Sequence, residues 1–257
     1  IDNLPADISV NNDAGVCGAD VTWVEPTSAD NCTGSTIAQT AGLANGATFP
    51  VGVTTVTYTA TDASSNTFSA SFTVTVTDNE APTIDNLPAN IAVNTDAGVC
   101  GADVTWVEPT SADNCTGSTI AQTAGLANGA TFPAGVTTIT YTATDASSNT
   151  FSASFTVTVT DDEDPTITCA ADQTATTDAG NCTAAVTVLA PTTADNCGVA
   201  SVTNNFNGTA DASGTYPIGI TNVIWTVTDN SGNTATCSMS ITVTDGEDPT
   251  ITYAADQ

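Results

Sequence analysis

The sequence predicts an all-β fold: tandem immunoglobulin-like β-sandwich domains arranged as an extended rod. Three observations predict it. A block of about 83 residues is written three times, and self-similarity at a fixed period marks an array of small units. Thr and Val dominate the composition, and both favour strands. Apolar residues alternate with Thr and Ser in short runs, and no segment carries a helical period. Ile1–Thr83 and Ile84–Thr166 differ at only seven positions, and a more diverged copy starts at Ile167.

Within each copy the elements follow in order. Ile1–Val10 supplies a first strand. Val21 and Trp23 form the inner face of an early strand. Val56, Tyr58 and Ala60 alternate with Thr55, Thr57 and Thr59, and Phe72, Val74 and Val76 alternate with Ser71, Thr73 and Thr75. The turn Asp62–Asn66 joins these two runs as a hairpin. About seven short strands per copy fit an immunoglobulin-like sandwich. Trp23 and Trp106 become Val188 in copy three, while Tyr58 and Tyr141 become Trp225. The large ring changes strand and total volume is kept, so the two positions share one core layer. The repeats span 1–78, 79–161 and 162–245, and 246–257 reads as a linker and the first strand of a fourth copy. The chain opens inside a repeat and is expected to be part of a longer array.

Charge narrows the partners. The chain has 28 Asp plus Glu, no Lys, no Arg and no His, for a formal charge of −28. Phosphate backbones and anionic membrane surfaces are excluded as electrostatic partners, because both need cations on the protein. Only 11% of residues are charged and 40% are hydrophobic, so the chain can bury cores. No apolar run reaches the ~18 residues of a membrane span, and no membrane insertion is expected. The natural partners are cations.

The eight cysteines are even in number and repeat in position. Copies one and two carry Cys17 with Cys32 and Cys100 with Cys115; copy three carries Cys182 and Cys197, plus Cys169 and Cys237. The last two are present together or absent together, which pairs them. The others then pair within their copies, as Cys17–Cys32, Cys100–Cys115 and Cys182–Cys197; a bridge between neighbouring copies is the alternative. Zinc is disfavoured, since copies one and two offer two thiols each and no His. Disulfides place the chain outside the cytosol, as an extracellular, secreted or cell-surface protein.

Five motifs in copy three carry a family resemblance: Asp161–Ile167, Thr177–Cys182, Ala194–Cys197, Tyr216–Gly219 and Val227–Cys237. In order and spacing they resemble the hyalin repeat, or HYR module, over the whole chain. The resemblance implies an extracellular immunoglobulin-like module used in adhesion and surface structures, with no catalytic residues to carry over. Copies one and two depart from the pattern by lacking one cysteine pair.

The acids converge on the linkers Asp78–Pro82, Asp161–Pro165 and Asp245–Pro249. In the expected topology the final hairpin turn lies at a domain's amino-terminal end, and the turn after the first strand lies at its carboxy-terminal end. Asp13, Asp78, Glu80, Asp145 and Asn149 should therefore meet at the first junction. Asp96, Asp161, Glu163, Asp164, Asp229 and Asn233 should meet at the second, and Asp178, Asp245, Glu247 and Asp248 should gather after copy three. The loop of Asp113 and Asn114 could face either end. Clustered carboxylates repel unless a cation intervenes, and Ca²⁺ takes roughly six to eight oxygen ligands. The linkers also resemble the calcium-binding linkers between cadherin repeats. Ca²⁺ is thus the expected cofactor, weaker at the first junction, where Asn79 and Ala81 replace two Asp. The competing reading makes these acids turn formers and solvated linker charge.

Asn31, Asn114, Asn181 and Asn207 match the N-glycosylation pattern, which chance readily supplies in a Thr-rich chain. General acid–base chemistry most often uses His, and no carboxylate pair stands apart from the repeated set, so no enzyme is expected. The function read from the sequence is an extracellular structural array, a fibre, filament or adhesin stalk, stiffened by calcium and disulfides. Its partners are calcium and neighbouring copies of itself. The rival is a multivalent module binding glycan or protein directly.

Overall fold

The structure is a computed structural model and describes residues 1–251; the remainder of the expected fourth-copy strand lies outside the described residues. The described residues are all strand, turn and loop, with no helix among them. The chain forms two compact units. One comprises Ile1–Ala89, Trp106–Gly125 and Thr138–Phe155; the other comprises Asn90–Thr105, Leu126–Thr137 and the described residues from Thr156. The second repeat therefore contributes to both.

In the first unit, repeat one contains β1 (Ile8–Asn11), β2 (Gly18–Asp20), β3 (Thr36–Ala41), β4 (Thr48–Pro50), β5 (Gly52–Thr61) and β6 (Thr67–Thr77). One sheet has the order β1-β6-β5-β3, and β2 pairs with β4 in a second. The long β5–β6 hairpin follows from its strict alternation. Val56, Tyr58, Phe72, Val74 and Val76 point inward and are buried, while the intervening Thr and Ser stay at the surface. Ala19 and Phe49 from the second sheet close the same core, which makes a sandwich. β1 runs parallel to the end of β6, with Ile8 opposite Val74 and Asn11 opposite Thr77. That pairing brings the turn after β1 beside Asp78, where the linker begins.

The early strand is shorter than the alternation suggests. β2 stops at Asp20, and Trp23 lies beyond it. Its backbone is held instead by an amide side chain: Trp23 N donates to Asn45 Oδ1 at 2.9 Å and Asn45 Nδ2 donates to Trp23 O at 2.8 Å. Here a side chain supplies the hydrogen bonds that a partner strand would otherwise make. Trp23 and Tyr58 do share a layer, with indole Nε1 donating to the phenol oxygen at 2.9 Å.

In the second unit, repeat three repeats this plan. Gln173–Thr176 runs parallel to Thr234–Thr244, which pairs with Gly219–Asp229 and then Val199–Asn204. Its core holds Val188, Tyr216, Val223, Trp225, Met239 and Ile241. The same unit holds the parallel pair of Ile91–Asn94 with Val157–Thr160 from repeat two. Gly246–Ile251 forms no strand.

Candidate metal centres

Each junction is built from three segments that hydrogen bonds lock together. At the first, the turn Asp13–Gly18 closes through Asp13 N to Gly18 O at 2.7 Å, and Asp13 Oδ2 accepts Asp20 N at 2.8 Å. Glu80 from the linker reaches this turn and accepts Gly15 N at 2.8 Å. Asp145 opens the hairpin turn of repeat two and accepts Asn149 N at 2.7 Å and Asn149 Nδ2 at 2.8 Å. Asn149 then donates to the carbonyl of Asp78 at 3.1 Å, joining that turn to the linker. The second junction repeats these contacts. Glu163 accepts Gly98 N at 2.8 Å, Asp96 Oδ2 accepts Asp103 N at 3.0 Å, and Asn233 Nδ2 donates to Asp161 O at 3.2 Å.

The loop that could have faced either end faces the linker. Asn114 Nδ2 donates to Val16 O at 3.0 Å, and Asn196 Nδ2 donates to Val99 O at 3.1 Å. This placement corrects the disulfide pairing. Cys17 bonds Cys115 and Cys100 bonds Cys197, each across a junction, with Cα–Cα distances of 4.8 and 4.7 Å. Cys32 and Cys182 are left as free thiols, so Cys17–Cys32, Cys100–Cys115 and Cys182–Cys197 do not form. The physical reason is topological. The turn after the first strand and the Asp-Asn-Cys loop sit at opposite ends of one repeat, so each meets the other's counterpart only in the adjacent repeat. Cys169–Cys237 forms as expected, within repeat three.

Two oxygen clusters result. In the first, Asp78 and Asp113 bring carboxylate oxygens within 4.8 Å of each other and of the Cys115 sulfur. That sulfur is bonded to Cys17 and is not a thiolate. In the second, carboxylate oxygens of Asp161, Asp195 and Asp229 all lie within 4.8 Å. Asp78, Asp161 and Asp229 are buried, at 3%, 5% and 2% exposure. Ionised carboxylates held this close repel one another unless a cation intervenes. In the clusters Asp78 Oδ2, Asp113 Oδ1 and Asp195 Oδ2 have no hydrogen-bond donor, nor do Asn114 Oδ1 and Asn196 Oδ1 of the same loops, whereas Asp161 accepts from Glu163 N and Ser231 Oγ and Asp229 from its own turn. Asp113 and Asp195 each use their other oxygen on the amide of the following cysteine, at 2.9 Å. A hard-oxygen donor set of Asp and Asn side chains fits Ca²⁺ better than any softer metal.

The expected site residues divide by task. Asp78, Asp161 and Asp229 lie in the clusters. Asp13, Asp96, Glu80, Glu163, Asp145, Asn149 and Asn233 spend their polar groups holding the turns and linkers in place. Asp164 lines the cleft beside Glu163 and Asp195. After repeat three the same scaffold recurs: Asp178 Oδ2 accepts Ala185 N, Glu247 accepts Gly180 N at 2.9 Å, and Glu247 N donates to Asp245 at 3.1 Å. Asp248 is exposed. Asp113, Asn114, Asp195 and Asn196 join the junctions through the Ala-Asp-Asn-Cys motif that recurs in every copy, a recurrence that does not by itself say which end of the repeat the loop faces.

Asp229 shows how the turns hold charge. Burial raises its carboxyl pKa, but hydrogen bonds from Asn233's side chain and amide and from the Ser231 and Gly232 amides outweigh that, and the net shift is downward.

Fold and junctions define a class: tandem β-sandwich repeats tied together by disulfides that cross from one repeat to the next. The chain belongs to the HYR domain family, whose model matches residues 3–76, 77–159 and 160–243. It is 35% identical over 248 residues to hyalin of Strongylocentrotus purpuratus, covering 93% of this chain and 20% of that protein. To hyalin of Lytechinus variegatus it is 34% identical over 235 residues, covering 89% and 43%. The chain thus spans less than half the length of these relatives. Among solved structures, protocadherin gamma B2 extracellular cadherin domains 1–5 match 96% of this chain and 60% of that one at 12% identity and TM-score 0.38. Mouse cadherin-23 EC22–24 matches 93% and 96% at 15% identity and TM-score 0.37.

Proposed function

We propose that the chain is a segment of an extracellular structural array, a fibre, filament or adhesin stalk, in which Ca²⁺ at each repeat junction stiffens the joint that the disulfide already ties. One observation carries this reading. Carboxylates, some of them buried, converge at each junction, and Asp78 Oδ2, Asp113 Oδ1 and Asn114 Oδ1 at the first and Asp195 Oδ2 and Asn196 Oδ1 at the second have no hydrogen-bond donor, in a chain with no Lys, Arg or His to neutralise them. A bound divalent cation would accept those lone pairs and turn the repulsion into attraction. The protein's own part is to hold the oxygens in place before the ion arrives, through the Glu80 and Glu163 contacts and the paired hairpin turns. The extracellular assignment is supported by the disulfides, which persist in oxidising surroundings.

The test is small-angle X-ray scattering of the chain, moved from EDTA into millimolar Ca²⁺, with Mg²⁺ as control and calorimetric titration alongside. We expect two binding events, the tighter at the three-carboxylate second junction, and a maximum dimension that lengthens and sharpens with Ca²⁺ alone. Asp195→Asn is expected to weaken the tighter event at least about tenfold, a loss of ~1.4 kcal/mol. An identical scattering profile in all three buffers, with no heat of binding, would sink the calcium reading.

A further inference from the structure

Each cross-junction disulfide is tied to the oxygen cluster beside it. At the first junction the Cys115 sulfur lies within 4.8 Å of carboxylate oxygens of Asp78 and Asp113. The same sulfur is bonded to Cys17 of the preceding repeat. Asp113 takes the Cys115 amide on Oδ2 at 2.9 Å and leaves Oδ1 without a donor. Between them Asn114 donates to Val16 O at 3.0 Å, beside Cys17, and its own Oδ1 has no donor. One stretch of three residues therefore carries a cluster oxygen at one end and the bridge at the other. From the linker side Asp78 is 3% exposed and its Oδ2 has no donor. A bare lone pair at that depth suits a ligating oxygen better than solvated charge.

The second junction is built in the same way. Asp195 accepts the Cys197 amide at 2.9 Å and keeps Oδ2 without a donor. Asn196 donates to Val99 O at 3.1 Å, beside Cys100, and Cys100 is bonded to Cys197. The Asp195 carboxylate lies within 4.8 Å of those of Asp161 and Asp229. Cys169–Cys237 differs: it lies within repeat three and belongs to neither cluster.

We propose that Ca²⁺ binding and the two cross-junction disulfides are thermodynamically coupled: the bridge tightens the ion, and the ion protects the bridge from reduction. The proposal deepens the calcium reading and rests on it. Cutting a bridge releases the loop that carries the cluster aspartate from the turn of the preceding repeat. That loop must then be ordered again when the ion binds, which weakens binding. Linkage makes the effect reciprocal, so the ion disfavours reduction by the same factor. A free thiol is mainly protonated at neutral pH, so reduction adds little charge to the cluster. The reductant is a small dithiol. Its thiolate attacks one bridge sulfur, breaks the S–S bond and releases the other cysteine; its second thiol then closes a ring and releases the first. One protein disulfide and one dithiol become two protein thiols and one cyclic disulfide, so protons and electrons balance.

The experiment uses the whole chain with Ca²⁺ as the ligand and dithiothreitol as the dithiol. The chain is equilibrated in mixtures of reduced and oxidised dithiothreitol, in saturating Ca²⁺, in Mg²⁺ and in EDTA. Thiols are trapped by alkylation and mapped with an acid-specific protease. Cys17–Cys115 and Cys100–Cys197 are expected to need an at least about tenfold higher ratio of reduced to oxidised dithiol for half-reduction in Ca²⁺ than in EDTA. Mg²⁺ is expected to give the EDTA value, and Cys169–Cys237 the same value in all three. The reciprocal arm titrates Ca²⁺ calorimetrically into the chain carrying Cys17→Ser and Cys115→Ser. Its first-junction event is expected to weaken about tenfold and its second to hold. Bridges reduced equally in Ca²⁺ and EDTA, on a chain that calorimetry shows to bind Ca²⁺, overturn this proposal and spare the calcium reading. Protection of Cys169–Cys237 by the same factor also overturns it, because the ion would then act on the whole fold. Absence of any binding heat overturns both.

Discussion

At the residue scale, one polar chain threads each of the first two repeats. Trp106 Nε1 donates to Tyr141 at 2.9 Å, and the Tyr141 hydroxyl donates to Glu108 at 2.5 Å. Burial raises the Tyr141 pKa, and the Glu108 hydrogen bond adds to it, so the phenol stays a donor. Tyr141→Phe is expected to destabilise the fold by about 1 kcal/mol in thermal unfolding, because it removes the hydroxyl that accepts from the half-buried Trp106 indole and donates to Glu108. Repeat three has lost the network. Trp225 is fully buried with Nε1 unpartnered, and it sits directly across from Cys237, whose disulfide supplies compensating stability. Asp229 makes a second prediction at this scale. Its pKa is lowered in the folded state, so its contribution is complete above the ordinary aspartate value near ~3.9 and fades as pH falls through the lower folded value. A carboxyl NMR titration is expected to place Asp229 below that ordinary value; a midpoint at or above it would contradict the turn network.

At the scale of elements, the edge of each long sheet is set by a bulge. β3 slips register against β5 between Gln39 and Ala41, and Thr119–Ala124 does so against Gly135–Thr144 between Gln122 and Ala124. Gly125 follows the second bulge at φ +91°, and a Cβ there would lie 2.6 Å from Thr138 O. Gly129 has a similar φ of +82° but open space around it. Gly129→Ala is therefore expected to cost only the left-handed backbone penalty of ~1–2 kcal/mol in denaturant unfolding, and Gly125→Ala that penalty plus the backbone clash, well over about 2 kcal/mol. Equal costs would show that the close approach contributes nothing.

At the scale of the whole molecule, the cross-repeat disulfides close sequence separations of 98 and 97 residues. Loops of that length are worth about 4–5 kcal/mol by chain entropy. Replacing Cys17 and Cys115 by Ser is expected to lower the unfolding temperature in calorimetry and leave the Cys169–Cys237 bridge unaffected. An unchanged melting profile would mean that the junction is held by its hydrogen bonds alone.

The repeat, the all-β character, the hairpin of β5 and β6 and the acid-rich linkers were determined by the sequence itself, because each depends on spacing within one stretch of chain. Period-2 alternation decides which face is buried, and a recurring Asp-to-Asn turn decides where the hairpin closes. Cys169–Cys237 was legible too, since both members appear only in copy three. The other cysteines were not. Comparing copies cannot distinguish a pair within a repeat from the same pair across neighbours, because both recur at every copy. Only the tertiary structure decided that, by running β1 parallel to β6 and so sending the turn after β1 to one end of the repeat and the Asp-Asn-Cys loop to the other. That same geometry put Asp113 and Asp195, rather than Asp13 and Asp96, against Asp78 and Asp161.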